Sequence, residues 1–272
     1  MKNTVVLFAG FGAPVSSEEG IREFLKRLSG KEPSAHSVNE LINRYKKIGG
    51  SPFLEKIKNV CSRISNVTGC LCSPVMKYTP PFLEDVLKKM DAEKFIIFPL
   101  SPFSADDDFL QEIRRSIIQK GGEAIPVENW GLSEEFVDFA SEFIKSEKKG
   151  GVLLFTAHSL PTKFQSYREN VYASAKKIAQ KAGIQKFLIA FQSGKEGWLS
   201  PTIDDVIKEL EFKEIILFPF GFFAECLETL YDLDIGLRER AESMGIKIRR
   251  LPALSEIGGF VDFLISEISK RV

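Results

Sequence analysis

The 272-residue sequence predicts an α/β fold of two similar lobes, each a parallel β-sheet flanked by helices, with a cleft between them. Three observations predict it. Short β-rich runs alternate with longer amphipathic ones, the pattern of a parallel sheet with helical crossovers. Residues 81–110 (PFLEDVLKKMDAEKFIIFPLSPFSADDDFL) align without a gap on residues 201–230 (PTIDDVIKELEFKEIILFPFGFFAECLETL), and VLFAGFGAP at 6–14 lies on LLFTAHSLP at 153–161. Ahead of that second apolar run, Ser146-Glu147-Lys148-Lys149-Gly150-Gly151 is polar and glycine-terminated, which divides the chain into lobes 1–147 and 148–272, each long enough to bury its own core.

In chain order, the apolar run at 3–9 reads as the first strand. Ser16-Ser17-Glu18-Glu19 carries the start signal of a helix over 17–28, and helical periodicity returns over 37–46 and 52–65. A strand at 69–75, a helix at 81–90, a strand at 94–99, a helix at 106–119 and a strand at 122–127 complete the first sheet. Ser133-Glu134-Glu135 opens a helix over 133–147. The second lobe follows with strands at 151–156, 185–191, 213–219 and 246–251, and helices over 168–182, 201–210, 225–243 and 257–270. The last of these is expected to pack back on the first lobe. In such sheets ligands bind beyond the carboxyl ends of the strands, which gathers His158, Ser101–Ser104 and Gly221–Glu228 on one edge.

Lys+Arg and Asp+Glu are both 37, so no basic surplus exists for a nucleic-acid backbone. No run approaches the ~20 apolar residues of a membrane span. Cys61, Cys70, Cys72 and Cys226 fit neither a paired zinc spacing nor a disulfide framework, and read as free thiols of a reducing compartment. A soluble, cytoplasmic, monomeric protein is expected.

The two copies differ where chemistry could sit. Phe11 in the first corresponds to His158 in the second, and Asp108 to Glu228. A histidine at the carboxyl end of an apolar strand is placed to accept a proton or ligate a metal, because its ordinary pKa of about 6.5 leaves much of it neutral near pH 7. His36, in a polar stretch, reads as a surface residue. On α-helical spacing, Glu225, Glu228 and Asp232 share one side, and like charges so placed call for a cation or proton among them. Asp106-Asp107-Asp108 instead reads as a cap and solvated first turn. The loop 191–201 is glycine-rich, but neither G-x-G-x-x-G nor G-x-x-x-x-G-K-[ST] occurs, and G-x-S-x-G is absent, which argues against nucleotide binding and against Ser159 as a nucleophile. Of the 23 phenylalanines most belong to the core, while Phe8, Phe11, Phe103, Phe191, Phe222 and Phe223, with Trp198, fall at the expected rim, where Gly221-Phe222-Phe223 would suit a large flat ligand.

These motifs together resemble the ferrochelatase family, nearly end to end: Gly12-Ala13-Pro14, Arg44-Tyr45 with Ile48-Gly49-Gly50-Ser51-Pro52, Lys77-Tyr78 with Pro81-Phe82, Ala157-His158-Ser159-Leu160-Pro161, Gln192-Ser193 with Trp198, and Gly221-Phe222 with Leu227-Glu228-Thr229-Leu230-Tyr231-Asp232. The resemblance implies two Rossmann-like, chelatase-type lobes that hold a porphyrin between them and insert Fe²⁺ with release of two protons, in haem biosynthesis. It implies His158 and Glu228 as the catalytic pair, Phe11, Lys77, Tyr78, Gln192, Ser193, Trp198 and Phe222 as porphyrin contacts, and His158, Glu228 and Asp232 as metal contacts. Iron and porphyrin are then substrates and no cofactor is required. An iron–sulfur cluster on Cys61, Cys70 and Cys72 is not expected. Arg22, Lys26, Arg27 and Arg44 are candidates for the porphyrin propionates. Phe11 stands where some bacterial members have tyrosine, and Gly236 interrupts their acidic row one turn past Asp232. The mitochondrial members' transit segment, apolar membrane-contacting lip and cysteine-rich extension find no counterpart. The alternatives are a chelatase of another tetrapyrrole or metal, such as sirohydrochlorin and cobalt, and a non-catalytic porphyrin or metal binder. Protoporphyrin IX and coproporphyrin III are not distinguished by these residues.

Overall fold

Strand β1 (Thr4–Gly10) lies between β2 (Leu71–Met76) and β3 (Lys94–Pro99), with β4 (Glu123–Pro126) outside β3, and all three pairings are parallel. The second sheet repeats this plan with β5 (Val152–His158) between β6 (Phe187–Gln192) and β7 (Glu214–Phe218), and β8 (Lys247–Arg250) at the far edge. The computed structural model describes residues 3–104, 108–147 and 149–272. The helices of the first half are α1 (Glu18–Ser29), α2 (Ala35–Lys47), α3 (Phe53–Thr68), α4 (Leu83–Lys89), α5 (Asp108–Gln119) and α6 (Glu134–Glu147). Those of the second are α7 (Gln165–Lys181), α8 (Ile203–Lys208), α9 (Arg238–Ser243) and α10 (Phe260–Ser269).

Local sequence explains the starts of several. Ser17 caps α1 by accepting from Gly20 N, Ser34 caps α2 through Ser37 N, and Thr202 and Asp205 form a reciprocal capping box at α8. Because α2 begins at Ala35, His36 sits in its first turn rather than in a loop. Asp108 opens α5, whereas Asp106 and Asp107 lie outside the described residues. The short 3₁₀ turns Trp130–Leu132 and Leu254–Glu256 were not foreseen, since three residues carry no periodicity.

Alternation along the central strands sends side chains into different cores. Val5, Leu7 and Ile97 pack outward with Leu87 of α4 and Ile113 of α5, and Leu154 and Leu217 outward with Ile207 of α8. Val6, Phe8, Phe98, Phe155 and Phe218 instead point into one large cluster shared by both halves. There Phe8 meets Phe223 at 5.3 Å between ring centroids and Phe103 meets Phe220 at 5.2 Å. Trp130, 1% exposed, contacts Phe98, Phe136, Phe223, Phe260 and Phe263, and its indole donates to Pro99 O at 2.8 Å. Helix α10 packs on α3 and α6 and so joins the first half.

The largest departure from the sequence reading is the helix expected over 225–243. Its first part, Glu228–Leu237, is a π-helix, and α9 continues from its end. Such i→i+5 segments are rare and concentrate at functional sites.

Candidate active site

His158 is the last residue of β5 and pairs in register with Gln192 at the end of β6. The backbone on both sides is fixed: Tyr167 OH donates to His158 O (3.0 Å), Ser159 N donates to Gln192 O (2.8 Å) and Ser159 Oγ to Leu199 O (2.9 Å). Ser159 is thus a structural donor, fully buried. The loop after β7 runs tight against the strand, with Gly221 N donating to Thr156 O at 3.2 Å, and a Cβ on Gly221 would stand 2.8 Å from Ala157 Cα, so only glycine allows this approach. Trp198 meets the imidazole edge-on, with centroids 6.1 Å apart at 88°.

The residue as a whole keeps some solvent contact, yet its Nδ1 is shut away without a hydrogen-bond partner. Burial holds the His158 pKa below its ordinary value, while the charges of Glu228 and Asp232 pull the other way. The outcome is a neutral imidazole facing two acids.

Those acids sit on the π-helix. Gln192 ties the site together, its Nε2 donating to Glu228 O at 3.3 Å. Ser193, in left-handed backbone at φ 59°, donates its hydroxyl to Asp232 Oδ2 at 2.9 Å. Arg44, on α2 of the first half, forms an ion pair with the other oxygen of Asp232 and lies over the Tyr231 ring at 4.7 Å. Burial nevertheless raises the Asp232 pKa, with Arg44 and Ser193 opposing the rise. Tyr45, the next residue of α2, is buried beside Glu228, and burial together with that charge pushes its phenol up, so it stays protonated. A cavity of about 620 Å³ opens beside these groups, lined among others by Arg44, Gln192, Ser193, Glu228, Tyr231 and Asp232.

Glu225 does not join them. α-Helical spacing placed it with Glu228 and Asp232, but it precedes the π-helix and turns inward, where Oε1 accepts from Arg250 Nη1 (2.9 Å) and Ala253 N (3.0 Å). The metal candidates His158, Glu228 and Asp232 share one neighbourhood without forming a ready chelate: among the described residues no three His, Cys, Asp or Glu side chains are placed to hold a metal ion. Arg44 and Ser193 take up the Asp232 oxygens instead.

At the rim, Phe11 follows β1 and is 54% exposed, with its ring 5.6 Å from Tyr78. Lys77 N and Tyr78 N donate to Gly10 O and Phe11 O, so the loops after β1 and β2 are stitched together, and Lys77 Nζ lies 5.5 Å from the Tyr78 ring. Phe222, in the loop just after β7, is buried at 9% exposure. Four of the expected rim aromatics, Phe8, Phe103, Phe191 and Phe223, are core residues at 0–2% exposure, because β1, β6 and the loops after β3 and β7 turn these rings into the shared cluster. Of the propionate candidates, Arg22 and Lys26 pair with Glu32 and Arg27 with Glu23, leaving Arg44 as the one that reaches the site. Cys61 and Cys70 are buried and Cys72 is partly so, its thiol raised by burial and by a hydrogen bond with Cys61. No helix among the described residues is long and apolar enough to cross a membrane.

Sequence reasoning gave no role to Tyr45, Tyr231 or Arg250. Pairing across a long chain separation leaves no local signal, although Tyr45 and Tyr231 fall inside the quoted motifs.

Comparison with known proteins places the chain in a family. The chain is 28% identical to the coproporphyrin III ferrochelatase of Geobacillus sp. (strain WCH70), covering all of this chain and 98% of that one, and 28% identical to coproporphyrin III ferrochelatase 2 of Bacillus cereus (strain ATCC 14579), covering all of this chain and 95% of that one. Among solved structures, SirB from Bacillus subtilis with Fe³⁺ superposes with a TM-score of 0.64 at 13% identity, covering 99% of this chain and 95% of the other. CbiX, described as the terminal enzyme of sirohaem biosynthesis in denitrifying bacteria, superposes at 0.60 with 13% identity and covers 99% of both chains. These two likenesses establish the two-lobed chelatase fold. The family model for ferrochelatase matches residues 3–272, and the chain belongs to the ferrochelatase family.

Proposed function

We propose that the protein inserts Fe²⁺ into coproporphyrin III, releasing the two pyrrole protons, as a step of haem biosynthesis. The observation that carries this reading is the buried His158 imidazole, kept neutral and with Nδ1 unpartnered, opposite Glu228 and Asp232. A neutral imidazole accepts a pyrrole proton as the iron approaches the ring nitrogens, and the neighbouring carboxylates stabilise the imidazolium that forms. Glu228 then takes the proton on toward the cavity, and His158 is free to accept the second. Coproporphyrin III is favoured over protoporphyrin IX because the full-length relatives carry that name.

In this reading Phe11, Lys77, Tyr78, Trp198 and Phe222 contact the macrocycle, and Gln192 and Ser193 hold the acidic segment against it. Lys77, at the rim beside Tyr78, is a cation placed to meet a propionate, whereas Arg44 is engaged by Asp232. Asp232 serves as a proton and charge partner rather than as a standing metal ligand. The protein acts as a cytoplasmic monomer, and no resident cofactor enters the reaction.

The test is anaerobic incubation of the purified protein with Fe²⁺ and, separately, coproporphyrin III, protoporphyrin IX and sirohydrochlorin, following loss of the free-tetrapyrrole absorption. Multiple turnovers with coproporphyrin III and slower turnover with the others are expected. Preferred turnover of sirohydrochlorin would assign the chain to the other chelatase branch, and stoichiometric binding without turnover would make it a carrier.

A further inference from the structure

The two copies of the fold part company after β3 and β7. Ile97 on β3 pairs with Pro126, whereas its repeat counterpart Leu217 on β7 pairs with Arg250, so the connection is longer by four residues in the second copy. The first connection contains the regular helix α5, and the second contains the π-helix Glu228–Leu237. Proline thus occupies the register position that arginine holds in the second sheet, and alanine (Ala105) the sequence position of Glu225.

Arg250 uses that position fully. Its side chain is 12% exposed and donates from Nε to Asp234 Oδ1 (2.7 Å), from Nη2 to Asp234 Oδ2 (2.6 Å) and from Nη1 to Glu225 Oε1 (2.9 Å). The Asp234 contact is the bidentate fork that gives guanidinium–carboxylate pairs their directionality. Glu225 precedes Glu228 by three residues, and Asp234 follows Asp232 by two. One guanidinium on a separate strand therefore grips both flanks of the segment that carries the two acids. None of Glu225, Asp234 and Arg250 lines the cavity, so the grip acts from behind the site.

We propose that Arg250 is a positioning residue: by clamping Glu225 and Asp234 to the end of β8 it holds the π-helix in the form that presents Glu228 and Asp232 to His158. The inference rests on the reading of this site as iron-inserting. A group that orients reacting residues without touching substrate affects turnover more than substrate capture.

The experiment compares Arg250→Met and Arg250→Lys with wild type in anaerobic iron insertion, together with amide hydrogen exchange of the intact protein. Arg250→Met is expected to lower kcat roughly 10- to 100-fold with the porphyrin KM unchanged, and Arg250→Lys to recover part of the loss because an ammonium keeps a point contact but not the fork. Exchange is expected to quicken in 228–237 and to stay at the wild-type rate in α5. Should Arg250→Met fail to fold, Asp234→Asn removes the charge from the fork without changing its shape and is expected to show the same kcat-selective loss. Wild-type kcat in the folded variants, or unchanged exchange across 228–237, overturns the clamp. Failure of the wild type to insert iron would overturn the functional reading instead, leaving the exchange result to decide the clamp.

Discussion

Replacing His158 by alanine is the perturbation that bears most directly on the chemistry. Burial disfavours the charged form of this imidazole, and the other histidine of the sequence, His36, lies on α2 away from the site's acids. A positioned acid/base residue contributes about 10²- to 10⁴-fold, so its loss should raise the barrier by about 2.7–5.4 kcal/mol at roughly 1.36 kcal/mol per tenfold. Porphyrin affinity, read by quenching of protein fluorescence, should change little because the ring is held by other side chains. In wild type the acid limb of kcat/KM should have its midpoint below the ordinary histidine value of 6.5, since burial disfavours the imidazolium. The same shift appears in stability. Unfolded His158 titrates near 6.5 and the folded residue lower, so between those values the unfolded chain binds more protons and stability falls as the pH falls; above 6.5 the contribution is flat. That loss should be absent from the alanine variant. A variant that keeps more than about a tenth of wild-type kcat, below the weakest contribution such a residue makes, would refute the role given to His158.

Glu228→Gln keeps the shape and removes the charge opposite the imidazole, and single-turnover rates should fall about 10²-fold or more. Asp232→Asn takes away one of the two charges that hold the His158 pKa up, so the acid limb should move to still lower pH; an upward move would contradict the assignment. Arg44→Met leaves the Asp232 carboxylate with Ser193 alone and should cost about 1–3 kcal/mol in urea unfolding, with the added Asp232→Asn change restoring part of it in a double-mutant cycle. Trp130→Ala should lose about 3–5 kcal/mol from the cavity it opens, and orphaning of the Pro99 carbonyl adds to that; a loss under 1 kcal/mol would mean the core relaxes around the gap.

The fold was readable because its signals are local and repeated. The strands β1–β8 of the described residues announce themselves as β-rich runs, and the internal duplication tells which of them correspond. His158 was readable by contrast: the matching position holds Phe11, and a polar residue at the end of an apolar strand has no packing reason to be there. Glu228 emerged in the same way against Asp108. What stayed hidden depends on distance or on helix type. The Arg44–Asp232 pair joins α2 to the π-helix across 188 residues, and no spacing rule reaches that far. Glu225 escapes the periodic reading because helical structure begins only after it, at Glu228, so its side chain is directed by Arg250 and Ala253 rather than by a helix face. Chain position alone puts Phe8, Phe103 and Phe223 at the rim, whereas contacts with rings from the other half of the chain, as in Phe8–Phe223 and Phe103–Phe220, draw them inside.

The aromatic cluster that runs through both halves also governs how a flat molecule can enter. Many two-lobed binding proteins close like a clamshell about a hinge, which needs lobes that touch lightly. Here Phe8, Phe103 and Trp130 of one half are sunk among Phe220 and Phe223 of the other, and swinging them apart would expose that surface to water. The spacing of the two halves is therefore held by that core, and the site is expected to behave as a slot rather than a jaw. Admission and release fall to the small loops at its mouth, those of Phe11, Tyr78 and Trp198, and changes in their mobility should alter exchange of the macrocycle without altering the spacing of the two sheets.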